Sequence, residues 1–204
     1  MVMKRRYALF FLTALISTAF IAAEDAEKEN TIEVTGTEVQ EQAQKLSIDL
    51  SQEAREEMGA LLNTLLADEY VLYVKLQNFH WNVYGPFFND LHAFFQELYE
   101  QQRPIIDTIA ERARALGVKA DGSMSTFVEK SRLSEQDNGV PSANQMLKIL
   151  LDDYLTIIKN LRGSVERTGE LKDWADEDLL ITLIKKHEKT TWMLRSLLAK
   201  HPDK

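Results

Sequence analysis

Two of the four histidines in this 204-residue chain, His80 and His92, lie on either side of Gly85-Pro86 in the segment FHWNVYGPFFNDLH. Gly-Pro is a turn signal that also ends helices, so we expect one helix before it and another after it. A short turn of this kind can bring the two imidazoles together. Imidazole is the commonest metal ligand that proteins supply, so the pattern indicates a metal site.

A pair of carboxylates follows on the second of these helices. Asp107 and Glu111 are four residues apart, so both can reach one metal ion. His92 precedes Asp107 by fifteen residues, which is roughly 22 Å along a helix. The four groups can share an ion only if two antiparallel copies of this helix meet across a two-fold axis. Two imidazoles and two carboxylates suit Fe(II), Zn(II) or Mn(II), and the ligand types do not choose among these metals.

The same residues also have a simpler explanation. A histidine beside Trp81 is typical of a structural histidine, and an Asp/Glu pair one turn apart is typical of a solvated helix face. No histidine has a Glu three residues before it, so the chain lacks the Glu-x-x-His pattern of di-iron sites inside helical bundles. The sequence therefore predicts that any metal site lies outside the bundle core.

Four helical patterns must position these groups. They span about 51–83, 89–116, 143–167 and 176–200, and nothing between them alternates with the period of a strand. The linker 118–143 contains STFVEKSRL, which predicts one or two helical turns. The fold class is all-α, a four-helix bundle with a short extra helix and a long crossover between the second and third helices.

Each of the last three long helices has an apolar stripe that predicts its core face. The stripe of the second helix comprises Leu91, Phe95, Leu98, Ile105, Ile109 and Leu116. That of the third comprises Met146, Leu150, Tyr154, Ile157, Leu161 and Val165. That of the fourth comprises Leu180, Ile184, His187, Thr191, Leu194 and Leu198. Because it lies on this stripe, His187 is predicted to be structural.

The N-terminus predicts export. MKRR followed by YALFFLTALISTAFIAA reads as a signal peptide over residues 1–23 with cleavage after Ala23, and an uncleaved anchor is the alternative. We expect an exported, most simply periplasmic, protein without stable membrane association after cleavage. The chain has no cysteine, which excludes disulfides, thiolate metal sites and a lipoprotein anchor.

The net charge of the chain bears on which kinds of molecule it can bind. Cleavage removes Lys4, Arg5 and Arg6, so the net charge changes from −8 to −11. Residues 24–50 carry eight acids against two lysines, which predicts a disordered acidic tail before a folded domain at 51–204. Such a tail repels phosphate and argues against nucleic acid as a partner.

Two segments resemble the Dps family of small ferritin-like proteins. They are LADEYVLYVKLQNFHWNVYGPFFNDLHAFFQELYEQQRPIIDTIAERARALG and HEKTTWMLRSLL, and the match to the family spans about 61–198. The resemblance implies a ferritin-like four-helix bundle, assembled from two-fold dimers into a hollow dodecamer. It also implies that His80 and His92 of one subunit and Asp107 and Glu111 of another bind iron.

The implied reaction is oxidation of Fe(II), with hydrogen peroxide preferred, and storage of ferric mineral that protects against oxidative damage. Zinc could substitute for iron. Gln96 stands where many relatives carry an acid, which implies weaker binding of a second iron. Trp81 stands where relatives place an aromatic, either as a radical sink or as packing. The acids of DWADED, Asp173, Asp176, Glu177 and Asp178, either line a cation pore or are solvated at a helix start.

Two features depart from the family pattern. Pro104 lies inside the second helix and should remove a backbone hydrogen bond and kink it near Asp107. The signal peptide is the other departure, since most relatives are cytoplasmic. The competing functions are an exported cage that binds zinc or acts in adhesion, and a DNA-compacting protein, for which this chain lacks a basic tail.

Overall fold

A computed structural model of the chain describes residues 47–136 and 139–199, and every regular element in these residues is a helix. The helices are α1 (Gln52–Asn82), α2 (Phe88–Ala115), α3 (Met124–Lys130), α4 (Ala143–Leu171) and α5 (Trp174–Leu198). The predicted all-α class and the short extra helix in the linker are confirmed.

Serine caps begin three of the helices. Ser51 Oγ accepts a hydrogen bond from the Ala54 amide at the start of α1, and Ser123 caps α3 in the same way. At α4, Ser142 and Gln145 form a reciprocal capping box. These side chains satisfy backbone amides that have no partner within the helix, so the starting residues follow from local sequence.

The end of α4 differs from the prediction. The helix does not stop near residue 167 but continues through Gly169 to Leu171, and its C-cap is Lys172, a non-glycine residue at φ 59°. Arg167 forms ion pairs with Glu57 of α1 and with Glu170 of its own last turn. The helix thus continues past Gly169 despite the low helix propensity of glycine.

The start of α5 also differs from the prediction. The helix begins at Trp174, two residues before the predicted position, because Asp173 acts as its N-cap and accepts a hydrogen bond from the amide of Asp176. At the predicted turn after α1, Gly85 takes a φ of 114°, a value that L-residues rarely adopt. The turn thus uses the one residue type that tolerates this backbone conformation.

The helices pack mainly as two hairpins. α1 packs against α2 and α4 against α5, while α3 lies on α1, which also contacts α4. The predicted stripes face the core: all six stripe residues of α2 are buried, as are Tyr154 of α4 and Leu180 and Leu194 of α5. A long connection separates the hairpins, as the linker length predicted.

Two ion pairs join distant parts of the bundle. Asp68 in α1 is fully buried and accepts hydrogen bonds from the backbone amide and guanidinium of Arg132, just after α3. Lys75 lies further along α1 and forms an ion pair with Asp153 of α4 at 2.6 Å. Because each buried charge has an opposite charge in contact, these pairs fix which surfaces of the helices face one another.

Some sequence predictions concern parts of the chain outside the described residues. These are the signal peptide at 1–23, most of the acidic tail at 24–50 and the predicted end of the fourth helix at Lys200. Among the described helices, none is both long enough and apolar enough to span a membrane.

Candidate metal centre

The two turn-flanking histidines lie together, as the sequence predicted. His80 is in the last turn of α1 and His92 is near the start of α2. Their rings stack with centroids 3.8 Å apart at an interplanar angle of 23°. Each Nδ1 lies 2.8 Å from the backbone oxygen of the other histidine. The chain thus crosses from one helix to the next with the two imidazoles in reciprocal contact.

This reciprocal contact determines the tautomer of both rings. A backbone carbonyl can only accept a hydrogen bond, so both Nδ1 atoms must carry the proton. In a neutral imidazole the lone pair is then on Nε2, which is the atom left to bind a metal. A hydrogen bond from the non-ligating nitrogen to a carbonyl is how proteins commonly orient metal-binding histidines.

Aromatic side chains hold the histidine pair on both sides. Phe88 stacks on His92 with centroids 5.1 Å apart, and the ring of Tyr99 meets that of His80 edge-on at 5.3 Å. His80 is only 8% exposed. The rings therefore have little freedom to rotate, so their Nε2 atoms are pre-positioned.

The predicted carboxylates lie elsewhere on the subunit surface. Asp107 and Glu111 are both exposed on α2, and neither forms a hydrogen bond or ion pair within the described residues. The described residues also contain no group of three or more His, Asp or Glu side chains that could hold one ion. The structure thus brings the two histidines together and leaves the two carboxylates as a separate pair, as the helix spacing required.

Several side chains near the histidine pair are exposed. Gln96 donates to Glu100 at 2.8 Å on the exposed side of α2. Trp81 is 67% exposed, and Tyr84 and Phe87 of the adjoining turn are exposed as well. A cluster of exposed aromatics beside a histidine pair is unusual for a lone subunit and is typical of an interaction surface.

Pro104 does not end α2. The helix is continuous from Phe88 to Ala115, and the hydroxyl of Thr108 donates to the Pro104 carbonyl at 2.8 Å. Asp107 and Glu111 therefore remain one turn apart on a single helix.

A buried polar pair that sequence reasoning missed lies inside the bundle. His187 of α5 forms a 2.9 Å hydrogen bond through Nε2 with Glu69 of α1, and both residues are almost completely buried. Gln102 of α2 donates to the other oxygen of Glu69. The predicted placement of His187 in the core is confirmed, and its partner could have been suspected from a Glu within the apolar run LLADEYVL.

The acids at the start of α5 are not equivalent. Asp173 and Asp176 are buried, and both accept hydrogen bonds from Arg112 of α2. Burial, together with a hydrogen bond to Asp173, raises the pKa of Asp176 to about 6, and Arg112 opposes this shift. The expectation of solvated acids holds for the exposed Asp178 and is wrong for Asp173 and Asp176.

Comparison with known proteins gives evidence about the family of this chain that does not depend on the geometry of the site. Residues 59–203 match the Ferritin-like domain family. The chain is 36% identical over 141 residues to the DNA protection during starvation protein of Brevibacillus brevis, covering 69% of this chain and 94% of that protein.

Two solved structures are also similar. The crystal structure of Dps from Staphylococcus aureus shares 36% identity and a TM-score of 0.69, covering 72% of this chain and 97% of the other. The Dps protein from Vibrio cholerae, described as a member of a broad superfamily of ferritin-like diiron-carboxylate proteins, shares 28% identity and a TM-score of 0.73, covering 76% and 96%.

Proposed function

Because the chain belongs to the Dps family of ferritin-like proteins, we propose that it oxidises Fe(II) and stores the ferric product in a hollow homo-oligomer. The observation that carries this proposal is the reciprocal contact of His80 and His92, which leaves two Nε2 lone pairs available for iron. Asp107 and Glu111 supply a second, exposed set of ligands.

The two half-sites combine across a two-fold axis. Within one subunit His92 and Asp107 are separated by about half the length of α2, roughly 22 Å. An antiparallel partner places its own Asp107 and Glu111 against His80 and His92, and the symmetry creates two such sites in each dimer. The exposed aromatics of the turn support this contact, because burying them would stabilise it.

Hydrogen peroxide is the oxidant we propose. Two Fe(II) ions each give one electron, and one peroxide with two protons accepts both to form two water molecules. Because the peroxide receives both electrons at one site, no hydroxyl radical is released. This is the protective effect of the reaction. The contribution of the chain is to hold the iron ions close to one oxidant with ligands that accommodate Fe(II) and Fe(III). Zinc, which suits the same ligands, is expected to compete for the site.

Assembly and location complete the proposal. We expect a dodecamer built from two-fold dimers, with the acidic charge of the chain drawing in cations rather than nucleic acid. We further expect an exported protein, most simply periplasmic, because residues 1–23 have the pattern of a signal peptide. Iron oxidation would then take place outside the cytoplasm.

The experiment is anaerobic loading of the assembled protein with Fe(II), followed by peroxide while ferric absorbance is recorded. We expect rapid oxidation and retention of iron, and loss of rapid oxidation in the double variant His80→Ala/Asp107→Ala. The control is Asp152→Ala, which removes an exposed carboxylate of α4 outside the proposed site. If the wild type and the His80/Asp107 variant both behave like iron in buffer, the proposed function is wrong.

A further inference from the structure

A cleft between α2 and α5 contains polar groups that the proposed iron site does not use. Its volume is about 290 Å³. Leu98 and Ile105 of α2 and Met193 of α5 form its apolar part. The polar and charged residues that line it from the two helices are Glu97, Gln101, Gln102, Lys186, Lys189 and Thr190. The cleft is thus a groove with an apolar base and a polar rim, which is the usual composition of a ligand site.

The rim of this cleft is positively charged in a chain that is acidic overall. Lys186 and Lys189 are exposed on one side of α5, and neither ammonium forms an ion pair or hydrogen bond within the described residues. Glu97 is the single acid of the lining, and it accepts a 2.9 Å hydrogen bond from Gln101. Two lysines against one partnered carboxylate leave a net positive charge, although the whole chain carries −8.

The buried wall of the cleft supplies polar groups in fixed positions. Tyr154 of α4 and His187 lie there with ring centroids 5.2 Å apart. Burial, and next the negative charge of Glu69, raise the pKa of Tyr154 above its ordinary value, so its hydroxyl keeps its proton. Glu69 lies behind this wall and binds both His187 and Gln102. The carboxylate therefore orients two side chains of the lining without occupying the cleft itself.

We propose that this cleft binds a tetrahedral oxyanion, inorganic phosphate being the ligand, between the ammonium groups of Lys186 and Lys189. Lysine binds phosphate as a point charge, and the amide of Gln101 and the hydroxyl of Tyr154 offer additional donors. The volume is at the lower limit of roughly 300 Å³ for small-molecule pockets, which favours a free oxyanion over a nucleotide. The site is independent of the proposed iron chemistry.

The test is calorimetric titration of metal-free, assembled protein with inorganic phosphate at constant ionic strength. We expect saturable binding of one phosphate per chain. The variant Lys186→Gln/Lys189→Gln should weaken it by about tenfold or more, since two charge-assisted contacts are removed. The matched control is Lys159→Gln/Lys185→Gln, which removes the same charge from exposed positions outside the cleft and should leave binding unchanged.

Three results would overturn the proposal. They are absence of saturable binding by the wild-type protein, equal weakening in both lysine variants, and binding of AMP as tight as that of phosphate. Circular dichroism and the elution volume of each variant establish that the assembly is intact before titration. Because no iron is present, failure of phosphate binding leaves the ferroxidase proposal unaffected, and loss of ferroxidase activity leaves this site unaffected.

Discussion

His80 and His92 each place Nδ1 2.8 Å from the backbone oxygen of the other, so each imidazole is oriented by the main chain of its neighbour's helix. The pair therefore acts as one unit that depends on the turn between α1 and α2. In the proposed iron site these two imidazoles form one half, and Asp107 and Glu111, which would form the other half, do not join them in any group of three or more possible ligands within the described residues.

Complementation between subunits tests the shared site. His80→Ala/His92→Ala removes one half-site and Asp107→Ala/Glu111→Ala removes the other, so we expect each variant alone to lose rapid iron oxidation. Subunits of the two variants refolded together at equal amounts should recover about a quarter of the wild-type sites. The reason is that half of random dimers are mixed, and each mixed dimer holds one complete site. The measurement is the peroxide-dependent oxidation rate.

This complementation has a clear contrary outcome. If tagged subunits demonstrate that the two variants co-assemble and no activity returns, the ligands do not combine across an interface. As the control, each variant is refolded alone under the same conditions, and it should remain inactive.

Removal of the ring that stacks on His92 should weaken iron binding without removing a ligand. Phe88→Ala takes away the contact at 5.1 Å, and loss of such supporting groups typically costs about tenfold or more in metal affinity. Anaerobic titration with Fe(II) gives the affinity. Trp192→Ala is the control, because Trp192 of α5 is 59% exposed, lies outside the turn between α1 and α2 and makes no ring contact within the described residues. Equal losses in both variants would contradict an orienting role for Phe88.

The Glu69–His187 pair should contribute strongly to stability. Glu69→Ala leaves His187 and Gln102 buried without their acceptor, and each buried donor left without a partner costs roughly 1 to 3 kcal/mol. Denaturant unfolding at a fixed subunit concentration measures the loss. Asp152→Ala, which breaks the exposed pair Lys148–Asp152, should cost less than about 1 kcal/mol. A small effect of Glu69→Ala would mean that the pair is not a structural requirement.

The buried acid at the start of α5 should make stability depend on pH. The pKa of Asp176 is about 6 in the folded chain and 3.8 in the reference state, so the folded state binds the proton more tightly. Protonation of Asp176 therefore stabilises the fold below about pH 4, and this contribution is lost as the pH rises toward 6 and beyond. It amounts to at most about 3 kcal/mol.

Asp176→Asn isolates this contribution. The free energy of unfolding, measured between pH 4 and 7 in both proteins, should fall more steeply with rising pH in the wild type than in the variant. Asp178→Asn is the control, because Asp178 is exposed on the same turn and should leave the slope unchanged. Parallel pH profiles for wild type and Asp176→Asn would contradict the raised pKa.

Replacing Lys172, the C-cap of α4, should increase the stability of the fold. Lys172 has a φ of 59°, which costs an L-residue about 1 kcal/mol that glycine avoids. Lys172→Gly should therefore raise the free energy of unfolding by about 0.5 to 1 kcal/mol. Lys159→Gly, in the interior of α4, should lower it by a similar amount. Destabilisation by both changes would mean that the Lys172 side chain makes a contribution larger than the backbone strain.

Local sequence determined the helices and their order. Period-3.6 stripes, serine caps and the Gly85-Pro86 turn act over a few residues, so the all-α class, the short helix in the linker and the pairing of His80 with His92 were all predictable. The spacing of His92 and Asp107 also implied that a second subunit is needed for any shared ion, because the rise of a helix per residue is constant. Those predictions needed no knowledge of how the helices pack.

Tertiary packing decided the rest. Glu69 and His187 are separated by 118 residues, and although a Glu within LLADEYVL suggests a buried carboxylate, the local sequence does not identify which residue it binds. Likewise, the local sequence around Asp173 and Asp176 is typical of solvated acids at a helix start. In the folded bundle, Arg112 of another helix binds both of them. A charge is buried only where a partner from a distant segment compensates its loss of water, and helix packing alone determines which segments meet. The sequence therefore specified the elements and the half-site, while the folded bundle specified the buried pairs and the cleft between α2 and α5.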